Sequence, residues 1–280
     1  MQTSLDCAGR ILDITRPSVM GVLNVTPDSF SDGGRYTTLN KALEHAREMI
    51  SQGAGIIDVG GESTRPNAQL VSENEEIDRV VPVIEALSVE SDVIVSIDTS
   101  SARVMKAAVQ AGAGIINDVR ALSRPGALEA AVECGVPVVL MHSLVEQPVQ
   151  GFVPEYNDVM ESVVEYLVER VKVCELAGIA KEKIILDPGF GGGMFGKTPA
   201  YDLALVKRFA ELHSLGMPVL AGVSRKSFIG SVLGNGADER LAGSLAVALM
   251  LAQAGAQIVR VHDVKETVDM LAMLEAVAAA

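Results

Sequence analysis

Eight short apolar runs recur along this 280-residue chain, each followed by polar or glycine-rich residues and then by a stretch with helical spacing. They occupy residues 19–25, 56–59, 93–97, 115–119, 136–141, 184–186, 219–223 and 258–261. Runs of this length alternating with helices read as parallel strands, because parallel neighbours need a helical crossover rather than a tight turn, and those crossovers are right-handed. In the stretch 39–51, Ala42, Leu43, Ala46, Met49 and Ile50 fall on one helical face. Residues 154–177, 202–215, 239–254 and 264–278 read the same way. Gly53, Gly112, Gly135, Gly178, Gly216 and Gly255 each stand between a helical stretch and the next run, where glycine ends a helix in the left-handed conformation. No Ser/Gly/Pro-rich linker or charge block divides the chain, which predicts one domain over 1–280. Eight units at this length favour an α/β fold of the closed (β/α)8 TIM-barrel type over an open doubly wound sheet. Residues 4–14, ahead of the first unit, read as a short hairpin closing the barrel bottom.

Composition narrows the partners. Hydrophobic residues make up 49%, aromatics only 4%, and Trp is absent, so the core is aliphatic, as suits parallel strands buried on both faces. A net charge of −13 argues against nucleic acid or an anionic membrane surface, but not against a small anion met by a few local cations. Cys7, Cys134 and Cys174 form no metal or disulfide pattern, which fits a reducing compartment. The first ten residues lack an apolar secretory core, and the uncharged stretch 241–259 carries Gly243, Ser244, Gln253, Gly255 and Gln257, so it reads as a buried helix and strand. A soluble cytoplasmic protein is expected.

The polar residues gather at one end of the runs: Asn24, Glu62 to Arg65, Asp98, Asn117 and Asp118, His142, Asp187, Ser224 to Lys226, and Arg260 to Asp263. Taken singly, Asp98 reads equally as a helix cap and Asn117 or Asp187 as a turn former. Eight such positions in phase point instead to the C-terminal mouth of a barrel, where the βα loops converge. Arg65, Arg225, Lys226, Arg260 and His262 would collect positive charge there, and loops seven and eight are the usual phosphate site of such barrels. Asp98 and Asp187 follow apolar runs and so lie deep, where a flat heterocycle with amino and ring N–H groups would satisfy them beside Asn117. Asn24 and Asp32 supply oxygens suited to Mg²⁺ shared with a pyrophosphate. The segment GGGMFGKT at 191–198 matches a P-loop pattern, but Pro199 follows at once and Phe195 would crowd a phosphate cradle, so it reads as a coincidence.

These residues resemble the signatures of the dihydropteroate synthases. NVTPDSFSDGG at 24–34 resembles their first-loop motif, and GGESTRP at 60–66, IDT at 97–99, INDV at 116–119, LDPGF at 186–190, SRKS at 224–227 and RVHD at 260–263 follow in order. The resemblance implies a transferase that joins 6-hydroxymethyl-7,8-dihydropterin diphosphate to p-aminobenzoate, giving 7,8-dihydropteroate and pyrophosphate for folate synthesis. It implies Mg²⁺ held by Asn24 with Asp32 nearby, and pterin diphosphate bound by Thr64, Asp98, Asn117, Met141, Asp187, Lys226, Arg260, Val261 and His262. Asn24, Asp32, Arg65, Lys226, Arg260 and His262 would carry catalysis, with Arg65, Arg260 and His262 facing the pyrophosphate. Phe30, Phe190 and Ser227 would border the aminobenzoate. The family is dimeric, so a homodimer is implied. Because the aminobenzoate nitrogen is a poor nucleophile, assisted departure of pyrophosphate by an ionising, SN1-like path is expected, with no general base.

Two stretches depart from the family pattern. About three extra residues, Gly192, Gly193 and Met194, separate the glycine–phenylalanine pair at 189–190 from Phe195, beside the expected aminobenzoate site. They predict reduced sensitivity to sulfonamides, which project beyond the space aminobenzoate fills. The fifth loop, 143–148, also differs, and His142 is given no catalytic role. A methyltetrahydrofolate-dependent methyltransferase would share the pterin acids but has no use for the leaving-group cations. A non-catalytic pterin-binding protein predicts a lost Mg²⁺ ligand or cation, and none is lost.

Overall fold

In the computed structural model, residues 2–25, 35–62, 71–145, 155–191 and 195–280 are described. All eight apolar runs are strands: β3 (Ser18–Asn24), β4 (Ile56–Gly60), β5 (Ile94–Asp98), β6 (Ile115–Asp118), β7 (Val138–Met141), β8 (Ile184–Asp187), β9 (Leu220–Ala221) and β10 (Ile258–Val261). They pair in parallel in the order β8-β7-β6-β5-β4-β3-β10-β9. A bridge between Leu186 and Val219, supported by the Leu186 N–H on the Pro218 carbonyl at 2.8 Å, joins the two ends into a (β/α)8 barrel. The hairpin is also present, as β1 (Ser4–Cys7) and β2 (Arg10–Asp13) paired antiparallel.

Side-chain alternation along each strand sorts the apolar residues into two clusters. Leu5, Cys7, Leu12 and Ile14 of the hairpin segment pack on Met20, Ile56, Ile94, Ile115, Val139, Ile185, Leu220 and Ile258, one residue near the start of every strand. This is the barrel floor, and the hairpin seals it. The alternate residues, such as Val19, Ile57, Val95, Leu140 and Val259, face outward into the larger shell beneath the helices. Cys7, Cys134 and Cys174 are free thiols.

The surrounding helices are α1 (Arg35–Ser51), α2 (Glu73–Glu90), α3 (Ala102–Gln110), α4 (Ala127–Cys134), α5 (Val159–Ala177), α6 (Pro199–Arg208), α7 (Ser227–Leu233), α8 (Leu241–Gln253) and α9 (Val264–Ala278). The stretch expected from 154 becomes helical at Val159, because the Asp158 carboxylate accepts the N–H groups of Met160 and Glu161 at 2.8 and 3.0 Å and so caps the first turn. The one expected over 202–215 is α-helical only to Arg208 and tightens into 3-10 turns up to Leu215. All six glycines read as helix ends adopt positive φ, from 65° at Gly135 to 113° at Gly112.

Candidate active site

With Ile56 on the floor and Ile57 and Val59 in the outer shell, alternation along β4 places Asp58 inside the barrel, above the floor. Asp58 is the centre of a buried network. Its Oδ2 accepts from Arg260 Nε at 2.6 Å and from Asn117 Nδ2 at 3.0 Å, while Arg260 Nη2 donates to Asp98 Oδ2 at 2.8 Å. Asp58 Oδ1 and the neighbouring Ser96 Oγ have no partner. Arg260 therefore lies among the acids rather than in a separate group of loop cations. Burial pushes the Asp98 carboxyl up to about 7, with Arg260 opposing the rise and Asp58 adding to it. Gly60 stands between Asn24 and Asp98 in register, and a Cβ there would lie 3.6 Å from Asn24 Oδ1, so the exposed Asn24 side chain stands on the rim of the same mouth.

Across the barrel, Met141 pairs in register with Asp187, and both are buried at the ends of their strands. Asp187 Oδ1 accepts the Gly189 N–H at 2.7 Å, and its carbonyl accepts the His142 N–H at 2.9 Å. Burial raises the Asp187 carboxyl, against the lowering effect of that N–H and of Lys226, Lys197 and Arg260. Lys226 is the residue before α7, with its ammonium 5.4 Å above the Phe195 ring. Burial lowers its pKa, and Arg260 lowers it further. Ser227 opens α7 directly after it.

Four expectations need correcting or refining. Arg225 is not a mouth cation: its guanidinium is paired with Asp263, its N–H donates to Ser244 Oγ at 2.9 Å, and its φ is +57°. This clamp ties loop seven to loop eight. His262 is not a cation at neutral pH, because the protein crowded around it, then Arg260 and Arg225, push it down to about 4; its Nδ1 lies 3.1 Å from Ser224 Oγ. Val261 turns its side chain into the outer shell, where it lines a small cavity with Val223, Leu241 and Ala248, so only its backbone borders the mouth. Phe190 is buried in that shell too, its ring 6.5 Å from Phe209 and 6.3 Å from Phe228, and the ring beside Lys226 is that of Phe195.

The P-loop look-alike fails for a visible reason. Lys197 is wholly buried, with Nζ 2.7 Å from His142 Nδ1 and 3.3 Å from the His142 carbonyl, and Thr198 caps α6 instead of a metal. Burial lowers the lysine to about 7, and burial with the nearby lysine lowers His142 to about 2. His142 is a buried structural residue with its ring edge-on to Tyr166. Asp118 is structural as well: it accepts from Ser100 Oγ and from the N–H groups of Arg120 and Leu122, holding a turn in which Ala121 and Leu122 have positive φ. Sequence reasoning missed Asp58, and it met Lys197 only as part of the P-loop look-alike. The signal for Asp58 was available, since Ile56, Asp58 and Gly60 share one face of a strand.

Phe30, Asp32, Thr64, Arg65 and the extra Gly192, Gly193 and Met194 lie outside the described residues, as does the fifth loop beyond Val145.

Comparison with known proteins agrees with this geometry. A family model described as "Pterin binding enzyme" matches residues 20–262. The dihydropteroate synthase of Escherichia coli K12 is 53% identical over 268 residues, covering 96% of this chain and 94% of the relative. Two solved structures of Xanthomonas albilineans dihydropteroate synthase superpose closely. The one with 4-aminobenzoic acid has a TM-score of 0.93 at 50% identity over 100% of both chains, and the one in complex with 7,8-dihydropteroate has 0.89 at 48% over 99% of both. The chain belongs to the dihydropteroate synthase family of pterin-binding enzymes.

Proposed function

We propose that this chain condenses 6-hydroxymethyl-7,8-dihydropterin diphosphate with p-aminobenzoate, releasing pyrophosphate and forming 7,8-dihydropteroate. The observation that carries the reading is the closed barrel's polar mouth, where Asp98, Asn117 and Asp187 offer acceptors and an amide to a heterocycle while Arg260 and Lys226 stand beside them. The acids recognise ring and amino N–H groups, and their burial makes an unmet carboxylate costly, so the right heterocycle is selected by what it donates. Lys226 and Arg260 stabilise negative charge growing on the departing diphosphate. His262, neutral at pH 7, serves as a hydrogen-bond donor and not as a charge. The bond to the diphosphate breaks first, by an ionising path, and the weakly nucleophilic amine then captures the electron-poor methylene carbon. By the same resemblance Thr64, Arg65 and Asp32 belong to this set, and Phe30 and Ser227 border the second substrate.

Mg²⁺ fits this set as an ion shared with the substrate. Asn24 offers one exposed amide oxygen at the rim, and Mg²⁺ commonly takes one or two protein oxygens and completes its shell with water and phosphate. When bound it would neutralise part of the diphosphate charge. A homodimer is proposed too, supported by the exposure of Val232, Leu233, Met250, Met273 and Val277 on the last three helices; sedimentation of the purified chain tests it. Among the described residues no helix is long and apolar enough to cross a membrane.

The test is direct: purified protein with Mg²⁺ and both substrates yields dihydropteroate and pyrophosphate together. Absence of both from folded protein that binds pterin overturns the reading. The extra residues 192–194 are proposed to alter the aminobenzoate wall, so their deletion raises sulfonamide inhibition while leaving the aminobenzoate KM in place. Unchanged inhibition of an active deletion variant refutes that.

A further inference from the structure

We propose that Asp58 is a positioning residue for this reaction: with one carboxylate oxygen it fixes the guanidinium of Arg260 and the amide of Asn117, so that a cation for the diphosphate and a recognition group for the pterin move as one unit. The inference rests on the functional reading above. The two donors come from β10 and β6, on opposite sides of β4 in the sheet, and meet on Asp58 Oδ2 at 2.6 and 3.0 Å. Arg260 has a second carboxylate partner, Asp98, at 2.8 Å. The two acids differ in access. The Asp58 side chain is 0% exposed and that of Asp98 is 18% exposed, so a ligand arriving from the mouth reaches Asp98 first.

That difference gives the network a direction. Ring N–H groups that occupy Asp98 compete with Arg260 Nη2 for the same oxygen. Nε stays on Asp58, and the released edge of the guanidinium is held beside the mouth instead of swinging free on its long side chain. Pterin binding thereby exposes the positive edge that the diphosphate needs. A merely structural account leaves the charge unexplained, because a well-packed apolar pair is often as stable as a buried ion pair.

The experiment compares Asp58→Asn, Asp58→Ala, Arg260→Met and the double variant Asp58→Ala/Arg260→Met with the parent chain. The readouts are melting temperature, calorimetric binding of 6-hydroxymethyl-7,8-dihydropterin diphosphate, and kcat with the KM of each substrate. The amide oxygen introduced by Asp58→Asn can still accept both bonds, whereas alanine cannot. Positioning therefore predicts that D58A loses kcat and pterin affinity on the order of a hundredfold, as when one side of a buried charged hydrogen bond is removed. D58N recovers most of that loss, and the aminobenzoate KM stays put in both. Adding D58A to R260M costs no further kcat, because the carboxylate acts through the guanidinium. A folded D58A with parental kcat and pterin affinity overturns the proposal, as does additivity of the two single effects. If the parent chain binds pterin but makes no product, the functional reading fails, and the D58A binding isotherm still decides the role of Asp58.

Discussion

Gly189→Ala is the substitution whose consequence can be worked most closely from the structure. Gly189 sits at φ +69°, and a Cβ built there would lie 2.1 Å from the His142 carbonyl oxygen and 3.2 Å from Met141 Cγ. The first contact is with backbone, so no side-chain rotation relieves it. A non-glycine residue in the left-handed region costs about 1–2 kcal/mol before any clash is counted. Relieving the clash moves residue 189 away from β7, which breaks the 2.7 Å bond from its N–H to Asp187 Oδ1. A hydrogen bond to a charged group contributes about 1.5–3 kcal/mol, so the total falls near 3–5 kcal/mol. At roughly 2–4 °C per kcal/mol for a chain of this class, melting drops by roughly 6–20 °C. Asp187 also loses the donor that orients it, so the surviving folded protein binds pterin diphosphate more weakly. Thermal melts and calorimetry on the same preparation test both halves. A variant that melts within about 2 °C of the parent and binds pterin equally well would show that the loop after β8 yields freely, and the reasoning would be wrong.

Three further outcomes are expected. Asp187→Ala keeps the fold but weakens pterin binding by tens to thousands of times, about 2–5 kcal/mol, and unchanged affinity in folded protein would reduce Asp187 to a turn residue. Burial raises Asp98 to about 7, so if its ionised form accepts the pterin donors, kcat/KM for pterin diphosphate rises with pH through that value; a flat profile between pH 5.5 and 8.5, roughly one and a half units either side, contradicts it. Burial lowers Lys197 to about 7, so between there and its unfolded value near 10.4 the unfolded chain binds more protons and native stability increases with pH. Lys197→Met should lose that increase, which melts at neutral and alkaline pH will reveal; parallel pH dependence in both proteins argues against a strained buried ammonium.

How much of this could be read in the residues differs by kind. The strands were legible because a barrel strand buried on both faces is an unbroken aliphatic run, and the glycine after several of the helices marks where the run begins. Helices α2, α3, α4 and α7 were harder to see. Helix α2 holds Pro82 inside it and starts on a Ser72–Glu75 capping box, and α7 is only seven residues long. The end of the barrel that carries the mouth was legible from the phase of the polar residues. What the linear pattern does not contain is pairing. Arg225 and Arg260 look alike as strand-end arginines, yet one is clamped by Asp263 and the other is shared between Asp58 and Asp98. Phe190 and Phe195 differ only by which shell the loop turns them toward, and that depends on a positive φ at Phe195 that sequence does not announce. Asp58 was overlooked because an acid inside an apolar run reads as a tolerated exception rather than as the interior member of an alternating set.

The joint between β8 and β9 rests on one bridge, Leu186 to Val219, while β3 and β4 share a five-residue register. Stiffness around the cylinder is therefore uneven. Backbone amides exchange through whichever local opening costs least, and a two-residue strand held by few bonds opens before its longer neighbours. Deuterium should enter the chain first at this joint, ahead of β3 and β4. Asp187 caps one stave of it and Lys226 follows the other, so breathing there changes the spacing between an acid and a cation on adjacent staves. The side of the barrel that carries Asp98 and Asn117 on β5 and β6 is the rigid jaw, and the side with Asp187 and Lys226 is the one that can adjust its bite.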